Sequence, residues 1–209
     1  MRAWITALLN SILPRHPRAE RALHVSPEEL AFIFEPKTVR APWIHTLFPY
    51  RDEHVRSIIQ AVKYYGESAA VELVAPFAAD YLLELIDHLR RFEGWRTVTL
   101  VPIPTSQKRL RQRGYNQAAL FAHALSTRIP DATIADTLLT RVERVSQVHV
   151  PRSMRKQNIK NAFTATHAAQ NSYCILIDDV VESGATLSDA RRALLDAGAR
   201  AVIALAIAH

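Results

Sequence analysis

Apolar residues in the first half of the chain recur with helical spacing. Trp4, Ile5, Leu8, Leu9 and Ile12 predict a short amphipathic helix over the first thirteen residues, ended by Pro14 and Pro17. Ser26-Pro27-Glu28-Glu29 is a capping box with proline at the first helical position, so a second short helix starts there. Residues 35–49 contain three prolines and read as an extended connection. Asp52 then caps a helix with Val55, Ile58, Ile59 and Val62 on one face, and Gly66 stops it. Ser68 opens a longer helix through Leu73, Phe77, Tyr81, Leu85 and Leu89, with Pro76 as a candidate kink. The charged stretch 87–96 reads as a surface crossing.

From residue 97 the period changes. Thr97–Val101 is β-branched and apolar, and Pro102-Ile103-Pro104 ends it as a stiff loop. A helix follows with Leu120, Phe121 and Leu125 inward. Residues 133–144 and 162–165 suggest short strands. The run Tyr173–Ile177 predicts a buried strand, and a helix with Leu187, Ala190, Leu194 and Leu195 inward comes after it. Ala197-Gly198-Ala199 turns the chain into a closing strand, Ala201–Ala208. Strand and helix alternate, which predicts an α/β fold with a parallel sheet and helices on both faces. Ligands in such sheets sit beyond the carboxyl ends of the strands.

An apolar share of 49% with 22% charged residues is ordinary for a globular protein, and the 209 residues allow one α/β domain plus an appendage. The single cysteine, Cys174, lies in a predicted strand and excludes an intrachain disulfide, which suits a reducing cytosol. No apolar run approaches the ~20 residues of a bilayer span, and residues 1–13 lack a signal-peptide cleavage site. A cytoplasmic location is expected. The net charge of +6 is localised: residues 107–160 carry eleven Lys/Arg against three Asp/Glu. Such a field suits a polyanion, either a pyrophosphate-bearing small molecule or nucleic acid.

The chemistry concentrates at residues 178–187. Asp178 and Asp179 stand where the Tyr173–Ile177 strand is expected to end, and Glu182-Ser183-Gly184-Ala185-Thr186 forms a small-residue turn before a helix. Turn amides and the hydroxyls of Ser183 and Thr186 can take a phosphate at the positive end of that helix. The acid pair can accept hydrogen bonds from sugar hydroxyls and face a hard cation such as Mg²⁺. An ordinary strand–turn–helix with exposed acids at its edge is the other reading.

At these residues the chain resembles the type I phosphoribosyltransferases, whose signature binds the ribose 5-phosphate of phosphoribosyl pyrophosphate (PRPP). The resemblance implies a Rossmann-like domain in which Asp178 and Asp179 hold the ribose hydroxyls and Mg²⁺, directly or through water. It also implies that Ser183, Gly184, Ala185, Thr186 and Leu187 wrap the 5-phosphate. Glu182 departs from the small residue usual there. Purine-salvage members carry an acid at the matching position, so Glu182 is a candidate proton acceptor; an outward-pointing surface residue is the alternative.

Further marks extend the resemblance to one branch, the ComF family linked to bacterial competence. They are Val62-Lys63-Tyr64-Tyr65-Gly66, Val101-Pro102-Ile103-Pro104, Arg109-Leu110-Arg111-Gln112-Arg113-Gly114-Tyr115-Asn116-Gln117, Ser146-Gln147, Arg152, Arg155, Asn158 and Ala162-Phe163. Arg109, Arg111 and Arg113, read as a short loop, become candidates for the pyrophosphate, with one or two of them pointing inward. Residues 146–160 resemble a hood over the site. Lys63 matches the family's Lys-Tyr mark, and its spacing assigns it no role. Many members begin with a cysteine-rich zinc ribbon. Residues 1–50 contain no cysteine, so no structural zinc is expected. The expected division is a helical extension over 1–50 and a phosphoribosyltransferase-like domain over 51–209.

The function implied is transfer of ribose 5-phosphate from PRPP to a small nitrogenous acceptor, with Mg²⁺ and release of pyrophosphate. Two alternatives stand beside it. One is a PRPP-binding or regulatory component of a DNA-uptake apparatus without turnover; the other is a nucleic-acid binder using residues 107–160.

Overall fold

The computed structural model of the chain describes residues 17–142 and 161–209. The helix expected over residues 1–13 and the hood expected over 146–160 lie outside them. Helix α1 (Pro17–Leu23) begins at the proline expected to mark a helix end, since proline also suits a first helical position. Helix α2 (Pro27–Ile33) carries the expected capping box: Ser26 Oγ accepts the Glu29 amide at 3.2 Å, and Glu29 Oε2 accepts the Ser26 amide at 2.8 Å.

The segment read as an extended connection holds two strands, β1 (Lys37–Thr38) and β2 (Ile44–Phe48). Leu47 and Phe48 are fully buried, and truncating a buried Phe costs about 3–5 kcal/mol. Residues 37–48, placed by sequence in a helical extension, thus belong to the main sheet. Helix α3 (Glu53–Tyr65) matches expectation, with Asp52 Oδ1 accepting the amides of His54 and Val55. Helix α4 (Ser68–Phe92) runs into the first part of the stretch expected to be a surface crossing, ending at Phe92, and contains Pro76. Its inner face is Val71, Val74, Ala78, Leu82, Ile86 and Leu89, rotated from the stripe expected. The small Ala residues allow close approach on that side, while Leu73, Phe77, Tyr81 and Leu85 sit at its margin.

Strand β3 (Val98–Pro102) leads to α5 (Gln107–Arg113) and α6 (Gln117–Ser126). Then follow β4 (Ala132–Ile134), β5 (Leu139–Arg141), β6 (Phe163–Ala165), β7 (Tyr173–Val180), α7 (Ala185–Asp196) and β8 (Ala201–Ala208). The main sheet has the order β1-β2-β8-β7-β3-β4; only β1 is antiparallel, and β5 and β6 pair separately. The expected closing strand of the chain, β8, stands in the interior of the sheet, between β2 and β7. Its row Val202, Ala204, Leu205, Ala206 and Ile207 has no water-facing side, as two-sided burial requires.

Two apolar clusters cover the faces. Ile175, Ile177, Leu205 and Ile207 pack with α3, α4 and α6; Cys174, Leu176, Val202 and Ala204 pack with α7 and the β5–β6 pair. The connection after β3 therefore leads to one face and that after β7 to the other. Between these two adjacent strands a crevice opens at their carboxyl ends, the usual ligand position of a doubly wound sheet.

Candidate functional site

β7 is longer than its apolar run. It pairs with β8 as far as Val180, so both aspartates lie within the strand rather than after it. On its other side β3 stops at Pro102, opposite Ile177. The acid pair consequently passes the end of its neighbour and faces the crevice. Each carboxylate bends forward: Asp178 Oδ1 accepts the Asp179 amide and Asp179 Oδ1 accepts the Val180 amide, both at 2.9 Å. Asp179 is 7% exposed, and its Oδ2 is buried without a hydrogen-bond partner. Asp178 is intermediate in exposure and borders the cleft. Burial first, and the Asp179 carboxylate second, hold the Asp178 carboxyl well above the usual carboxylate range; the Asp179 amide and the Lys63 charge act against that rise.

The turn after β7 is built for close approach. Gly184 adopts φ +74°, and a Cβ there would stand 3.3 Å from both Arg40 Cβ and Ile44 Cδ1. A larger residue would push the turn away from β2. Arg40, itself at φ 65°, donates from Nε to the Glu182 carbonyl at 3.0 Å. The cap position of α7 makes no side-chain hydrogen bond, and its first turn contains no acid. Ser183 Oγ accepts the Ala185 amide at 3.4 Å. Such a helix start favours an anion.

Acid pair and turn line one cleft of about 370 Å³. Asp178, Asp179, Glu182, Ser183, Gly184, Thr186 and Leu187 border it; Ala185 is the first residue of α7 and does not. Glu182 is exposed at the rim. The arginine row is corrected: residues 107–113 are helix α5, not a loop. Ser106 caps that helix by accepting the Arg109 amide, and Gly114 ends it at φ 82°. Helical spacing turns Arg111 about 200° from Arg109. Arg109 borders the cleft, Arg111 is exposed elsewhere, and Arg113 lies over the Tyr64 ring at 5.4 Å while donating to Gln117 Oε1 at 3.2 Å.

The cleft also recruits residues that the sequence did not assign. Lys63 comes from the last turn of α3, Thr105 from the loop after β3, and Arg141 from the end of β5. Arg141 lies over the Phe163 ring at 5.3 Å. The only signal for Lys63 was its place in the Lys-Tyr-Tyr-Gly mark. Asp189 was missed as well. It is buried on α7 and accepts the amides of Asn161, Ala162 and Phe163 at 2.9, 2.7 and 3.1 Å, as well as Arg192 Nε at 3.1 Å. It thereby ties the start of β6 to the helix that begins at the phosphate-type turn.

The donor set fits a hard divalent cation: two carboxylates, one with an unpartnered buried oxygen. Among the described residues no three His, Cys, Asp or Glu side chains gather as a metal group. A cation here would complete its shell from ligand oxygens and water. No helix among the described residues is long and apolar enough to cross a membrane.

A mostly parallel sheet, an acid pair at its switch point and a small-residue turn opening α7 define a type I phosphoribosyltransferase-like fold. No protein-family model matches the chain. Curated relatives do. The chain is 30% identical to DNA utilization protein YhgH of Escherichia coli K12 over 146 residues, 69% of this chain and 63% of that protein. It is 34% identical to competence protein ComFC of Bacillus subtilis over 158 residues, 76% of this chain and 60% of that protein. Competence protein F of Haemophilus influenzae is 31% identical over 107 residues, 47% of this chain and 44% of that protein. These similarities support assigning the chain to the ComF family. The chain spans about three fifths of the length of the first two relatives.

Proposed function

We propose that the chain binds PRPP and transfers its ribose 5-phosphate to a small nitrogenous acceptor, releasing pyrophosphate. The supporting observation is the assembly in one cleft of an acid pair, a phosphate-type turn and cationic side chains. The amides of the turn and the hydroxyls of Ser183 and Thr186 bind the 5-phosphate. Asp178 and Asp179 accept hydrogen bonds from the ribose hydroxyls and, with ligand oxygens, hold Mg²⁺. The ion, when bound, offsets charge building on the leaving pyrophosphate. The acceptor nitrogen forms its bond to ribose C1 as the C1–oxygen bond breaks, and that electron pair leaves with pyrophosphate. Glu182, exposed at the rim, receives the acceptor's proton.

The test is a thermal-shift comparison of PRPP–Mg²⁺, ribose 5-phosphate and Mg²⁺ alone, followed by a pyrophosphate-release assay with a panel of nitrogenous acceptors. A larger midpoint shift with PRPP–Mg²⁺ is expected, because a ligand selective for the folded state raises its midpoint. No shift with any of them would sink the reading.

The relatives' names favour a second reading, in which the pocket serves a DNA-uptake or DNA-utilization apparatus without turnover. Nucleic acid would then meet the basic 107–142 surface, where α5 exposes Lys108 and Arg111. PRPP binding without pyrophosphate release across the panel favours this reading. DNA affinity falling steeply with salt would add the nucleic-acid contact.

A further inference from the structure

With residues 107–113 helical, α5 brings a single cation, Arg109, to the diphosphate end of the proposed ligand. A second cation borders the same cleft from another element. Lys63 is half-buried in the last turn of α3. Its helix closes at Gly66, whose left-handed backbone donates to the carbonyls of Ala61 and Val62. A Cβ at position 66 would lie 2.9 Å from the Tyr115 ring, so that ring packs directly on the glycine backbone. Two residues earlier, Tyr64 carries the Arg113 guanidinium on its face. These two contacts clasp the end of α3 to the end of α5, and each helix sends a cation into the cleft.

Other groups in the cleft lack partners. Asp179 Oδ2 and Thr105 Oγ1 are buried without hydrogen bonds. Lys63 forms no ion pair among the described residues, although its charge bears on Asp178. An ammonium that borders the cleft without an ion-pair partner is open to a ligand oxygen.

We propose that Lys63 and Arg109 form a two-sided cationic grip for the diphosphate group of a sugar 1-diphosphate, in place of the row Arg109–Arg111–Arg113. The proposal rests on the PRPP reading and deepens it. Arg113 is committed to Tyr64 and Gln117, and Arg111 faces solvent. Lys63 supplies a compact charge that can turn toward phosphate oxygens, and Arg109 a forked one. The grip selects ligands with a diphosphate on C1 over those with the 5-phosphate alone.

The experiment is calorimetric titration of the full chain and its Lys63→Gln, Lys63→Arg and Arg111→Gln variants, each with PRPP–Mg²⁺ and with ribose 5-phosphate. Loss of one charge-assisted contact should weaken PRPP roughly ten- to a hundredfold in Lys63→Gln. Ribose 5-phosphate binding should stay within about twofold, Lys63→Arg should regain most of the PRPP affinity, and Arg111→Gln should alter neither ligand. Equal weakening of both ligands in Lys63→Gln, no weakening, or an equal loss in Arg111→Gln overturns the grip. If Lys63→Gln does not melt cooperatively, Lys63→Met, which keeps the apolar stem, is titrated by the same criteria. A parent chain that binds PRPP no better than ribose 5-phosphate overturns the grip and leaves the 5-phosphate site standing; one that binds neither removes the PRPP reading as well.

Discussion

Arg40 and Glu182, 142 residues apart in the chain, are joined by a hydrogen bond of 3.0 Å from the Arg40 guanidinium to the Glu182 carbonyl. The bond fixes the main chain of the turn and leaves the Glu182 side chain free at the rim. It also links the β1–β2 connection to the start of α7. Arg40 holds a left-handed backbone that costs a non-glycine residue of order 1 kcal/mol or more, so the surrounding contacts over-determine it. Arg40→Ala keeps the Cβ that packs near Gly184 and removes the rest of the side chain, the guanidinium that holds the turn included. We expect the protein to lose about 1 kcal/mol of stability by chemical denaturation. Affinity for ribose 5-phosphate should fall severalfold; an unchanged affinity would show that the turn holds its shape without the clamp.

Glu182 itself gives the sharpest test of turnover. As proton acceptor, its replacement by alanine should leave PRPP affinity nearly unchanged and cut pyrophosphate release by ~10²-fold or more. The paired measurement is a PRPP titration and a pyrophosphate assay on the same variant. Unchanged release would end the catalytic role and return Glu182 to a surface residue near a helix start.

Asp178 is a case of function set against stability. Its carboxyl is held high by burial and by Asp179, so the folded protein keeps a proton that the unfolded chain gives up near pH ~3.9. Stability therefore falls as pH rises through the folded-state value. Asp178→Asn removes this cost, and its melting midpoint should exceed the parent's at neutral pH, with the difference shrinking toward acid pH. The same variant should lose the PRPP–Mg²⁺ shift. A lower midpoint at neutral pH would contradict a raised Asp178 pKa.

Asp189 predicts the opposite sign. Burial raises its pKa, but the amide of Asn161, the Arg192 guanidinium and the amide of Ala162 outweigh burial and leave it lowered. The stability it contributes is present above the unfolded carboxylate value and is lost as pH falls through the folded one. Asp189→Asn, which cannot accept from all these donors at once, should destabilise the protein by about 2–4 kcal/mol at neutral pH. In a urea series from neutral pH to pH ~3, the gap between parent and variant should narrow; a constant gap would mean that the contact is steric rather than ionic.

The local signals that the chain carried on its own were those with a strong short-range cause. Asp52, Ser26 and Gly66 cap helices through hydrogen bonds to neighbours within five residues, and their helices stand where the sequence put them. The acid pair and small-residue turn were legible for the same reason, because strand, turn and helix start are contiguous. What tertiary packing decided was where each side chain arrives. The Ile44–Phe48 run reads as a proline-bounded connection until β8 offers it an edge to pair with, and β7 runs through its aspartates because β8 continues beside it. Ser106 and Gly114 could have announced a helix at the arginine row, but which arginine met the cleft depended on its orientation against β3 and α3. Lys63, Arg40 and Asp189 meet their partners Asp178, Glu182 and Phe163 across 115, 142 and 26 residues of separation. Such contacts form only when the sheet brings distant elements together, and no periodicity along the chain records them.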